Sequence, residues 1–126
     1  ALLVQLVLGA IQRQLAHGLV AHVTFAVLVL LLAVVYGARL TGIEPAQPLL
    51  RRLGRALIGT ACFQVMLGVA ALVVVTLREA GAPRPGWQVL ITTAHQATGA
   101  ALLGLATALW LWTFRLLGTE PERTAA

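Results

Sequence analysis

Two histidines stand at the head of an otherwise lipid-soluble run, QLAHGLVAHVTFAVLVLLL over residues 14–32, and a third, His95, lies in TAHQATGAALLG. Imidazole is the one side chain here that can both hold a transition metal and exchange a proton near neutral pH. Few other groups could share that chemistry. Cys62 is the only cysteine and lies within an apolar run, so an internal disulfide and a cysteine-based zinc or iron–sulfur site are excluded. The four acids, Glu44, Glu79, Glu120 and Glu122, all fall outside the apolar runs. Gln5 and Gln64 are further polar residues set in apolar surroundings. Each is read first as interhelical hydrogen-bonding glue and second as a ligand contact.

The elements that carry these residues are membrane helices. A chain of 126 residues that is 60% hydrophobic and 10% charged departs from soluble domains, where those fractions run near ~45–50% and ~25%. The net charge of +5 comes from arginine alone, since the sequence has no lysine. Most of these arginines separate apolar runs, so they report topology, and no nucleic-acid partner is expected. The expected fold is all-α, one transmembrane four-helix domain with helices at about 1–13, 15–37, 56–77 and 88–114. The first run, ALLVQLVLGAI, covers only about 16 Å as helix against a hydrocarbon core of ~30 Å. It reads as the end of a truncated first helix. A cleaved signal peptide is the alternative, but the basic n-region and small-residue cleavage site are absent.

Loop charges give an orientation. ARLTGIEPAQPLLRRLGRA holds Arg39, Arg51, Arg52 and Arg55 against one Glu, and REAGAPRPGWQ holds Arg78 and Arg84 against one. The positive-inside rule places the first connection in the cytoplasm of a cell with a multi-pass inner membrane. Trp87 and the pair Trp110 and Trp112 are then interfacial anchors about 35 Å apart along the fourth helix.

Counting residues along the expected helices puts His22 and His95 at matching depth, each eight residues from the outer interface. His17 is rotated about 140° from His22, so one of the two faces a bundle interior, and His22 is the better candidate. A weak internal repeat points the same way. VQLVLGA and FQVMLGVA each set a Gln four residues before a Gly (Gln5 and Gly9, Gln64 and Gly68), and the helix after each opens with Ala-His. Two such units inserted alike are related by an axis along the membrane normal, which sets their histidine helices face to face.

Two facing imidazoles in an apolar bundle suit the axial positions of a b-type haem, with polar groups toward the surface for its carboxylates. Zinc, which takes three or four ligands, fits less well. Arg13, just beyond the level of His22, is a candidate for a haem carboxylate, whereas Arg78 and Arg84 are read as solvated or headgroup-facing. The small residues Ala94, Ala97, Gly99, Ala100 and Gly104 permit close approach of a flat ring or of a neighbouring helix.

These residues resemble the haem A synthase family. The resemblance rests on Gln5, Leu8, Gly9, Ala10 and Arg13, on Gln64, Leu67 and Gly68, and most specifically on TAHQATGAALLG from Thr93. It covers most of the chain but only one of the two four-helix halves typical of that family, in which each half has a pair of histidines. The resemblance implies haem b as cofactor, His22 and His95 as iron ligands, and a part in oxidising haem O to haem A, while Arg13 and Gln64 are read from their own placement as further cofactor contacts.

The departures favour the cofactor half. A Glu three residues before the first histidine marks the family's substrate half, whereas Gln14, Leu19 and Thr92 hold that place here. The family's paired extracytoplasmic cysteines are also missing. A second half, a homodimer or another membrane subunit is therefore the expected partner, and catalysis by the chain alone is not expected. A non-enzymatic accessory subunit and a haem b electron carrier are the alternatives.

Overall fold

The computed structural model describes residues 1–15, 18–42, 48–77 and 83–117, all but a few of them helical. Four helices follow in order: α1 Leu2–Leu15, α2 Leu19–Thr41, α3 Pro48–Thr76 and α4 Gly86–Leu117. The fold is an all-α bundle. In the ring of four, α1 lies against α2 and α4, α3 lies between α2 and α4, and the diagonal pairs keep their backbones apart. Three helices, α2, α3 and α4, are long and apolar enough to cross a membrane, while α1, with 14 residues, is not. Leu3, Val20, Met66, Leu77 and Phe114 turn outward and are mostly exposed. An apolar exterior on helices of this length makes the chain a multi-pass membrane protein.

Helix boundaries depart from the sequence reading, most informatively at the starts of α2 and α3. α2 begins at Leu19 rather than near residue 15, because Gly18 adopts a left-handed conformation (φ 86°) that an L side chain disfavours and that ends helical continuity. α3 begins at Pro48 rather than near residue 56. Proline suits a first helical position because its missing N–H would have no intrahelical acceptor there. The arginine-bearing stretch that follows is helical because Leu50, Gly54, Leu57 and Ala61 recur every three or four residues and are all buried. Arg51, Arg52 and Arg55 occupy the exposed face of that same segment.

Packing is tightest at the end of the bundle that holds the α2–α3 connection, here the lower end. On α2 the buried seam is Val29, Ala33, Gly37 and Leu40. It meets the α3 seam where Gly37 and Gly54 face each other. A Cβ on Gly37 would lie 2.7 Å from the Gly54 carbonyl oxygen and 2.6 Å from Ile58 Cγ1, so only glycine lets the two backbones approach this closely. Leu102 and Leu109 of α4 complete the core with Leu50 and Leu57. Tyr36 Oη and Thr113 Oγ1 share a hydrogen bond of 3.0 Å that ties α2 to α4 across the bundle. Toward the upper end this core gives way to an open cleft.

Candidate functional site

The cleft occupies about 920 Å³ between the four helices, and His22, His95, Gln5, Gln64, Gly9 and Gly68 all line it. Its volume is within the ~300–1,000 Å³ usual for small-molecule and cofactor sites. His22 from α2 and His95 from α4, the diagonal pair, meet across it with ring centroids 6.4 Å apart and ring planes at 85°. Among the described residues no third His, Cys, Asp or Glu joins them in a metal-binding group.

The internal repeat is visible in the packing. A Cβ on Gly9 would lie 3.1 Å from Cε1 and 3.6 Å from Nδ1 of His22. On Gly68 it would lie 3.1 Å from Cε1 and 3.6 Å from Nδ1 of His95. Each imidazole thus seats its Cε1 edge on a glycine of the preceding helix. Gln and Gly four residues apart share one helix face, so the spacing that carries the repeat also aims both residues at the histidine. The sequence held this signal, but not the role of the glycine.

Gln5 fixes its histidine further. Its Nε2 donates to the His22 backbone carbonyl at 3.1 Å and lies 3.2 Å from Nδ1 and 3.4 Å from Nε2 of the ring. Among the described residues, three buried carboxamide oxygens, of Gln5, Gln12 and Gln64, have no hydrogen-bond partner, and neither does His95 Nδ1. Unmet polar atoms of this kind cost free energy in an apolar interior. All four belong to residues that line the cleft. Gln64 also packs its amide against α4, where a Cβ on Gly99 would stand 3.0 Å from Nε2.

Equal residue counts do not explain the meeting of the two rings. His22 is three residues into α2 and His95 nine into α4, about 4.5 Å and 13.5 Å from their respective helix starts. The start of α4 therefore rises roughly 9 Å higher than that of α2 above the level of the rings. This overhang gives the upper part of the cleft a polar lining of Arg84, Gln88 and Thr92 from the α4 side and Gln12 from α1, over walls such as Val23, Val65, Val69 and Leu102.

Other candidate residues are placed differently from the sequence reading. Arg84, read as solvated, lines the cleft while remaining exposed. Arg13 is in the last turn of α1, but its side chain falls outside the described residues, as does all of His17. The four glutamates also lie outside them. Of the small residues near His95, Gly99 is buried, whereas Ala97, Ala100 and Gly104 face outward, with nothing within 4 Å of a Cβ placed on Gly104. Comparison with family models, curated proteins and solved structures finds no match to this chain.

Proposed function

We propose that the chain is a haem b-binding membrane protein in which His22 and His95 would hold the haem iron. The observation that carries this reading is their separation. With metal–nitrogen bonds of about 2 Å and each ring centroid about 1.1 Å behind its donor, two imidazoles on opposite sides of one metal have centroids about 6 Å apart. The 6.4 Å found here matches that requirement. A flat macrocycle also needs an apolar slot with a polar edge, and the cleft combines both. Bound there, haem b supplies one-electron redox chemistry.

The chain's own residues hold the imidazoles. A histidine that ligates through Nε2 carries its proton on Nδ1 and needs an acceptor for it. The Gln5 carboxamide provides one when it turns its oxygen, unpartnered as it stands, toward the ring. Gly9 and Gly68 keep the Cε1 edges seated, and Val23, Val65 and Leu102 give the slot apolar walls.

The resemblance to haem A synthases supports a place in the inner (cytoplasmic) membrane and a part in oxidising haem O to haem A, with this chain as the cofactor half. The four glutamates all fall outside the apolar runs that carry the histidines, and this supports methyl oxidation in a second half, a second copy or another subunit. The electron-carrier reading shares the ligands and differs only in what receives the electron.

Absorbance of the purified protein tests the haem reading: a Soret band with sharp reduced α and β bands is expected. A protein purified from haem-replete cells without these bands would return the histidines to a packing role and favour the accessory subunit. Cells that contain this chain alone and are supplied with haem O are expected to yield no haem A by mass spectrometry. Formyl product in those cells would show that no partner half is needed.

A further inference from the structure

The polar groups of the cleft are distributed unevenly, and that asymmetry specifies more than the site of a metal. We infer that Arg84 anchors a carboxylate of the bound ligand and so fixes which way the flat ring faces, an inference that rests on the haem reading above. Arg84 is the one cation among the described lining residues of the cleft. It stands two residues before α4 begins, and the nine helical residues from Gly86 to His95 span about 13.5 Å, part of which its long side chain covers. The lining between them is polar on the α4 face, with Gln88 and Thr92, whereas the cleft floor is apolar.

The backbone that presents Arg84 is stiff. Arg84 lies between Pro83 and Pro85. Proline fixes its own φ, and the residue before a proline is held to extended conformations. The Pro85 carbonyl accepts from the backbone N–H of Gln88 at 3.0 Å, which locks this segment onto the first turn of α4. A guanidinium presented from such a segment loses little backbone freedom on binding, and its planar fork matches a carboxylate. On the α1 side the cleft is lined at that level by the neutral carboxamide of Gln12. A ligand with an apolar ring and acid groups along one edge therefore binds with its acids toward the α3–α4 connection.

The test uses the full chain in detergent, freed of endogenous haem and titrated with haem b and with its dimethyl ester, in which both carboxylates are blocked. The unmodified protein is expected to bind haem b about tenfold or more tightly than the diester. Arg84→Gln is expected to abolish that preference while leaving diester affinity and its low-spin spectrum unchanged, and Arg84→Lys to retain part of it. If Arg84→Gln keeps the full preference, the anchor lies elsewhere and the inference is overturned with the haem reading intact. Equal loss of both porphyrins in Arg84→Gln also overturns it, because the residue would then be structural. Failure of the unmodified protein to bind either porphyrin would remove the haem reading itself.

Discussion

Gly9 and His22 are in such close contact that a Cβ on the glycine would lie 3.1 Å from Cε1 of the ring. Few real Cβ contacts are so tight, so an alanine there must move the imidazole by a few tenths of an ångström. The same holds for Gly68 beneath His95.

Gly9→Ala and Gly68→Ala are therefore expected to retain haem but to shift its reduction potential and the electron paramagnetic resonance of its low-spin ferric form. Alanine raises helix propensity by ~1 kcal/mol relative to glycine, so lost folding does not explain such a change. Leucine at either position is expected to abolish the low-spin spectrum. Spectra and potentials that stay identical in both alanine variants would show that the rings are not seated on these glycines.

His22→Ala and His95→Ala should each eliminate the bis-imidazole spectrum, because one donor cannot fill both axial positions. His17→Ala should leave it in place. Reduced-minus-oxidised spectra of the three variants in membranes decide the matter. The opposite pattern, with His17 required and His22 dispensable, would assign the ligand to the other histidine.

The crossing of α2 and α3 predicts a stability difference that is independent of any ligand. Gly37→Ala and Gly54→Ala bring a Cβ within 3.0 Å of neighbouring atoms, backbone oxygens included. Each should cost about 1–3 kcal/mol. Gly59→Ala and Gly104→Ala meet nothing within 4 Å and should be neutral or stabilising by up to ~1 kcal/mol through helix propensity. Thermal denaturation in detergent, followed by circular dichroism, should separate the two pairs.

Sidedness is open to chemical labelling. With Cys62 replaced, cysteines introduced at positions 51, 52 and 55 are expected to react from the cytoplasm and one at position 84 from the other side. Labelling of position 84 from the cytoplasm would place the cleft mouth on the opposite face of the membrane.

By itself the sequence determined the all-α class and the spanning segments, because apolar runs of some 20 residues must satisfy their backbone hydrogen bonds internally once in lipid. It also determined the pairing of each Gln–Gly helix with a histidine helix, because a four-residue spacing puts both residues on one face. Tertiary structure alone decided the rest. Counting from expected helix starts assigned His22 and His95 equal depths, and their rings do meet, but not through equal counts: Gly18 starts α2 later and α4 rises higher, so their meeting is set by how the helices slide past one another. The helical state of the arginine-bearing stretch before residue 56 depended on a partner for Leu50 and Gly54, which α2 supplies through Gly37 and Leu40. Arg84 looked like a surface charge because proximity to the cleft is a property of the folded loop and not of its composition. Local patterns fix which face a residue occupies; only packing between helices fixes what that face meets.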